Sequence, residues 1–311
     1  MTKHPRMNAV RAMIAISLSL GLLAAACGSS SKTATTASTA KPAETTVTAA
    51  KAADFAADST MAKIKAKGKI VIGTKFDQPL FGLKNPTTNE VEGFDAEIGK
   101  LLAKQIFGAD IKGKVDFIET TSKVREESIE QGKVDIVVAT YTINDARKQR
   151  VDFAGPYYTA GQDILVKKGN TTIKAVADLN GKKVCSVQGS TSLTNVQKQA
   201  ATADLSITFD KYSLCVEALL DGRVEAVTTD NIILLGFVKD QPDKVQLVNN
   251  PFTTEPYGIG LKKADTTFRN WINDQIDAFA KDGSYEKAWK ATAGQTGQPA
   301  PAAPKPDRYP G

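Results

Sequence analysis

Along the chain, short continuous apolar runs alternate with stretches in which apolar residues return every three or four positions. The first pattern is that of a buried strand, the second that of an amphipathic helix. Residues 69–73, 115–118 and 135–139 read as strands. Between the first two, residues 94–107 read as a helix with Ile98, Leu101, Leu102 and Ile106 on one face. Residues 123–131 read as a second helix, stopped by Gly132. Asn144 is placed to cap a short basic helix over 145–150. A second set follows, with strands predicted at 162–167, 182–187, 206–209, 225–228, 245–248 and 257–261. Helices are predicted at 193–202, 213–220 and 266–281, the last repeating Phe268, Ile272, Ile276 and Phe279 at helical spacing. Tyr285 and Trp289 belong to a final helix. This alternation predicts an α/β fold. No short internal repeat is present.

Both ends break the rhythm. Residues 1–26 carry Lys3, Arg6 and Arg11, then an apolar run over 12–23, then small residues, which is the build of a secretory signal. The run falls short of the roughly 20 residues that span a bilayer. Residues 27–60 are rich in Ser, Thr, Ala and Lys and predict a flexible tether. Residues 295–311 are Pro- and Ala-rich and predict a disordered tail. The folded part is then 61–294. Cleavage before Cys27 leaves 285 of the 311 residues, enough for two modest domains.

Charge and chemistry narrow the function. Of 40 basic residues three leave with the signal, so 37 face 34 acidic ones and the formal charge falls from +6 to +3. The charges are interspersed, without the basic tract that nucleic acid requires. The single histidine, His4, lies in the signal. Histidine-based triads and metal sites are therefore excluded from the mature chain, and no P-loop or dinucleotide fingerprint is present. The chain calls for no metal, no cofactor and no catalytic residue, and reads as a binder rather than an enzyme. Paired carboxylates remain open as an acid–base device, but no spacing points to them.

The three cysteines separate by position. Leu23 to Cys27, with Ala24 where leucine is usual, resembles a bacterial lipobox, followed at once by Gly28 and three serines. Cys27 is expected to carry diacylglycerol; the other reading is an ordinary cleavage site with the thiol unmodified. Cys185 and Cys215 are expected to form a disulfide outside the cytoplasm, closing a loop worth roughly 3–4 kcal/mol; two buried free thiols are the alternative.

Two turns stand out. The strand at 135–139 runs into Thr140 and Thr142, then a helix start with Arg147 in its first turn. Backbone N–H groups at a helix start bind anions, and arginine adds a two-pronged donor for a carboxylate. The turn with Gly189, Ser190, Thr191 and Ser192 repeats the pattern. Each is also compatible with an ordinary capped helix start.

At these residues the chain resembles the polar amino-acid (glutamate/aspartate/glutamine) solute-binding proteins of bacterial ABC importers, extracellular solute-binding protein family 3, and is most similar to glutamate-binding lipoproteins of actinobacteria. The signatures come in family order: Gly93, Phe94 and Asp95 with Glu97 and Ile98; Gly132 and Asp135, then Thr140, Thr142 and Arg147; the segment 151–158; Gly181 to Val184, then Gly189, Ser190 and Thr191; and Asp230. They cover 64–293, nearly the whole folded part.

The resemblance implies a two-lobed periplasmic-binding-protein (Venus flytrap) fold with two hinge strands. Lobe one is expected at 61–156 and 258–294, lobe two at 162–252, and the hinge at 157–161 and 253–257. It also implies roles. Arg147 clamps the ligand α-carboxylate, with Thr140 and Thr142 from the same turn and Ser190 and Thr191 facing from lobe two. Asp230 holds the α-ammonium, and Tyr212 faces the ligand. Ser122 stands where other branches place an aromatic, while Arg125 and Lys75 match basic positions of the glutamate/aspartate branch.

With Arg147, Arg125, Lys75 and Asp230 the pocket sums to +2, which glutamate lowers to +1 and glutamine leaves unchanged. The expected ligand is L-glutamate or aspartate; glutamine and asparagine remain open. The expected setting is the outer face of the cytoplasmic membrane, lipid-anchored, monomeric, delivering to an ABC permease. The alternatives are an amino-acid-sensing lipoprotein and a dehydratase on the same scaffold.

Overall fold

The computed structural model of the chain describes residues 54–309. The signal at 1–26, Cys27 and most of the tether lie outside the described residues. In chain order the elements are α1 (Thr60–Lys67), β1 (Ile70–Thr74), β2 (Asp77–Gln78), β3 (Gly82–Lys84), β4 (Val91–Glu92), α2 (Phe94–Phe107), β5 (Val115–Glu119), α3 (Arg125–Glu130), β6 (Ile136–Val137), α4 (Asp145–Lys148), β7 (Asp152–Ala160), β8 (Gln162–Lys167), β9 (Val184–Cys185), α5 (Thr191–Gln199), α6 (Tyr212–Leu220), β10 (Ala226–Asp230), α7 (Asn231–Asp240), β11 (Val245–Leu247), β12 (Glu255–Leu261), α8 (Thr266–Lys281) and α9 (Ser284–Ala291).

They form two α/β lobes, each around its own sheet. The lobe-one sheet runs β5-β1-β6-β12-β7, with β1 parallel to β5 and β6 and β12 antiparallel to β6 and β7. The lobe-two sheet runs β11-β8-β10-β9, with only β9 and β10 parallel. A small β2-β3-β4 meander projects from lobe one. The chain crosses between lobes twice. Strand β7 passes through Gly161 into β8, and the segment after β11 returns into β12. Next to the crossings Glu255 pairs with Ala160 and Tyr257 with Tyr158.

Local chemistry explains the sharpest boundaries. Helix α2 starts at Gly93 because φ there is +119° and a Cβ would meet the Phe81 backbone at 2.3 Å. Asp265 caps α8 by accepting the Phe268 N–H at 3.0 Å. Helix α8 then buries Phe268, Ile272, Ile276 and Phe279 beside the aromatic cluster of Phe81, Phe94, Tyr157, Tyr257 and Trp289. Each such burial stabilises by roughly 1.5–3 kcal/mol. In lobe two a disulfide joins Cys185 of β9 to Cys215 of α6.

Several expectations are corrected. Residues 206–209 form no strand; only single bridges, Lys183 with Asp204 and Val187 with Phe209, occur. Asp204 Oδ1 accepts the Ser206 N–H and turns the chain. Strand 182–187 shrinks to Val184–Cys185. Helix α7 and the nine-residue β7 are additions. Helix α7 lacks an amphipathic period because it is buried on both sides, Ile232 in the lobe-one cluster and Ile233, Leu234 and Phe237 in lobe two.

The end of the tether is ordered. Phe55 meets Trp271 edge-on at 5.8 Å, and Ser59 caps α1. The tail expected to be disordered over 295–311 is structured over 298–309. Strand β7 is a sheet edge with free backbone groups, and the tail serves them. Asp307 donates its N–H to Gly155 O at 2.6 Å, and Phe153 donates its N–H to the Tyr309 hydroxyl at 2.8 Å. Arg269 lies 4.2 Å over the Tyr309 ring and donates to its carbonyl.

Candidate functional site

Most of the groups singled out in the sequence sit just past the C-terminal ends of β1, β5, β6, β9 and β10, where open α/β sheets bind ligands, while Arg147 and Tyr212 come from the starts of α4 and α6. An inner cavity between the lobes is lined by Ser122, Arg125, Thr140 and Thr142 from lobe one and by Ser190, Thr191, Tyr212 and Asp230 from lobe two. Ser192, Thr229 and Ile233, which the sequence did not flag, complete it. Its free space is about 10 Å³, near that of one water, so the lobes must part to admit anything larger. Lys75 joins from behind, donating from Nζ to Ser122 Oγ at 2.9 Å. Arg147 lines instead a wider outer cavity of about 650 Å³ at the cleft mouth, which shares Thr142, Ser190 and Thr191.

Lobe one positions its groups through backbone turns. Thr140 has φ +46°, and its N–H donates to Asp95 Oδ2 at 2.7 Å. The other oxygen of Asp95 accepts the Tyr157 hydroxyl at 2.6 Å. Burial pushes Asp95 up to about 7, against the pull of these hydrogen bonds. One carboxylate thus holds the strained turn and ties it to β7. Asn144 accepts the Arg147 N–H at 2.9 Å and opens α4.

The arginines differ in their partners. Arg147 donates to Thr142 O at 2.7 Å and, across the cleft, to Gly189 O at 3.2 Å. Its Nε lies 3.3 Å from Glu126. Burial and then Arg125 lower its pKa to about 10. Arg125 donates to Ala139 O at 2.8 Å and stacks 4.1 Å from the Tyr141 ring centre. It is 2 % exposed, its Nε has no partner, and among the described residues no carboxylate lies within 4.0 Å. Lys75, 3 % exposed, likewise lacks an ion-pair partner within 4.0 Å. Burial, then Arg125, lowers it to about 7, while Asp77 and Glu119 oppose the shift.

On the lobe-two side, Asp230 accepts the Tyr257 hydroxyl at 2.6 Å through Oδ2 and leaves Oδ1 buried without a donor. Burial, then Glu255, raises it to about 7. Tyr212 places its hydroxyl among Ser190, Ser192 and Thr229. Ser190 caps α5 by accepting the Leu193 N–H at 3.0 Å. Glu255 accepts from Thr191, Asn195 and Thr253 at 2.8–3.0 Å.

Glu126 changes the charge count made from sequence, because it neutralises Arg147. Among the described residues, Lys75 and Arg125 have no carboxylate within 4.0 Å, and one carboxylate oxygen of Asp230 has no donor. Buried unpaired charges are costly, so this set favours a small ligand carrying both signs. Glu126 follows Arg125 directly and lies 21 positions from Arg147; no local pattern could have flagged it. Glu255 opens the strand after the second crossing, and only its place in the predicted hinge pointed to it.

A sequence profile of the bacterial extracellular solute-binding proteins, family 3, matches residues 70–292. The ABC transporter glutamine-binding protein GlnH of Bacillus subtilis is 44% identical over 232 residues, 74% of this chain and 83% of that protein. The glutamate-binding protein GluB of Corynebacterium efficiens is 38% identical over 251 residues, 78% of this chain and 84% of that one. Among solved structures, an ancestral arginine-binding protein bound to arginine superposes with a TM-score of 0.66 at 38% identity, covering 72% of this chain and 98% of that one.

Proposed function

The chain belongs to the bacterial extracellular solute-binding proteins, family 3, and on that premise we propose that it is the binding subunit of an ABC importer that captures L-glutamate between its lobes and delivers it to a permease. The family and the relatives are solute-binding proteins, and the relatives are named as binders of amino acids. The observation that carries glutamate is that, among the described residues, the buried basic groups Lys75 and Arg125 have no carboxylate within 4.0 Å. A dicarboxylic amino acid supplies one carboxylate to the Arg125 side and one to the Lys75 side or the turn of Thr140 and Thr142. Its ammonium faces the open oxygen of Asp230. Arg147 acts with them from the cleft mouth, holding Gly189 of lobe two against the Thr142 turn. Binding needs no reaction, and closure around the ligand presents the permease with a distinct shape.

Glutamine is the second reading, because the 44% identical relative is named for it. A neutral amide leaves one of the two cations unmatched. Calorimetric titration of the purified protein with glutamate, aspartate, glutamine and asparagine decides between them. Glutamate binding at least tenfold tighter than glutamine supports the first reading; equal or reversed affinities sink it.

Cys27 is proposed as the lipidated anchor on the outer face of the cytoplasmic membrane. The support is its lipobox-like setting and a family named as extracellular. Cys27→Ser is expected to move the protein from the membrane fraction to the medium; unchanged fractionation rules the anchor out.

A further inference from the structure

We propose that Asp77 is an interlobe latch: a carboxylate of lobe one that caps helix α6 of lobe two and so sets how tightly the closed cleft holds its ligand. Helix α6 begins without a cap of its own. The residue at its cap position is Lys211, which offers no acceptor, and its first turn holds no acidic residue. Asp77 fills the place from the opposite lobe. Its Oδ2 accepts the Tyr212 N–H at 2.8 Å and the Ser213 N–H at 3.3 Å. These are first-turn donors that no helical carbonyl can serve.

A second lobe-one carboxylate attends the same helix end. Lys211 Nζ lies 2.6 Å from Glu119 Oε1, close enough for an ion pair although off hydrogen-bond directions. Beside them α7 presses on the turn after β2. A Cβ on Gly236 would come 2.5 Å from Pro79 O. The meander that carries Asp77 is therefore seated on lobe two through both α6 and α7.

The latch is wired to the ligand cavity from both sides. Asp77 follows Lys75 by two residues. Tyr212, whose N–H it receives, lines the cavity, and α6 is bolted by Cys215 to β9, which leads into the Ser190 turn. Parting the lobes breaks the cap and leaves the α6 donors to water. Closure restores it. The contact exists only when the cleft is shut, so it contributes to holding time rather than to encounter.

The kinetic part of this inference rests on the amino-acid-binding reading; the conformational part does not. Asp77→Ala is made with Asp77→Asn, which keeps an acceptor able to cap a helix, and with Glu119→Gln as a second route to the same helix end. Small-angle scattering of the ligand-free proteins reads the lobe separation. Stopped-flow fluorescence with L-glutamate and L-glutamine reads the rates, and a thermal melt verifies folding. Loss of a cap corresponds to about 3- to 30-fold. Asp77→Ala is expected to raise the dissociation rate by that factor for whichever of the two amino acids bind, with little change in association rate. Its ligand-free radius of gyration should grow, Asp77→Asn should recover most of the loss, and Glu119→Gln should show a smaller effect of the same kind. An unchanged radius and dissociation rate in Asp77→Ala overturn the latch. A loss confined to one amino acid also overturns it, because Asp77 would then be reading the ligand. If neither amino acid binds the unaltered protein, the binding reading fails while the scattering comparison still decides the latch.

Discussion

Replacing Arg125 by alanine separates a side-chain reader from a general anchor. Arg125 is buried, has no carboxylate within 4.0 Å among the described residues, and keeps its Nε free inside the cavity wall. If a ligand carboxylate completes it, the substitution leaves that carboxylate buried with Lys75 as its remaining cation. Breaking a buried pair by removing one partner costs about 3–5 kcal/mol. Lys75 shares the charge, so the lower end applies, roughly 100-fold in glutamate affinity. Glutamine loses a charge-assisted hydrogen bond of about 1.5–3 kcal/mol. That loss is offset by removing an unpaired guanidinium, so its affinity should fall by tenfold at most. The assay is calorimetric titration at pH 7 with both ligands, alongside Arg125→Gln, which preserves bulk against Tyr141. Thermal melts show whether the lost contact to Ala139 O disturbs the fold. Equal losses for both ligands would refute the reasoning and make Arg125 an anchor for the carboxylate that all amino acids share.

Asp230 and Lys75 both titrate near pH 7 in the structure, with opposite consequences. Glutamine affinity should rise from pH 5 to 8 as Asp230 loses its proton and then level off. Glutamate affinity should peak near pH 7 and fall above it as Lys75 loses its charge; calorimetry across pH 5–9 reads both. Because Asp95 and Asp230 are raised above their unfolded values, the stability they contribute when protonated is present below pH 4 and lost as pH rises through 7. Asp230→Asn should therefore raise the ligand-free melting temperature at pH 8 by a few degrees while lowering amino-acid affinity by at least tenfold. Deleting 298–311 should cost about 2 kcal/mol, several degrees in a melt, by uncovering the Phe153 N–H, Gly155 O and Trp289 Nε1. Reducing Cys185–Cys215, with 30 positions between the sulfurs, should cost about 3.6 kcal/mol in the chain-entropy account. The reduced protein should unfold at lower denaturant.

What could be read without coordinates was local. Helices α2 and α8 matched their predicted bounds to the residue, because each buries one face and wets the other. Most residues named for the cavity meet there, since they lie just past strand ends or at helix starts, places that hydroxyls, Gly and Asn mark in sequence. What escaped depends on distant neighbours. Helix α7 is apolar on both sides because it faces both lobes, so its period vanished. Glu126 and Asp77 look like surface acids until Arg147 and the start of α6 are brought beside them. The Pro-Ala tail has the composition of a loose end, and only the free edge of β7 gives it a place. Arg147, expected to clamp the ligand α-carboxylate, lines the outer cavity and meets Glu126 and Gly189 O, neither of which its own stretch of sequence announces.

Both ends of the described chain are fastened to one helix. Phe55 sits on Trp271 of α8, and Arg308 pairs with Asp274 and Asp277 of the same helix at 2.8 Å. A pull on the chain from its N-terminal side therefore runs into lobe one and stops there. Neither crossing between the lobes lies in the load path. A force applied at either end of the described residues would therefore turn the whole molecule without prising the cleft.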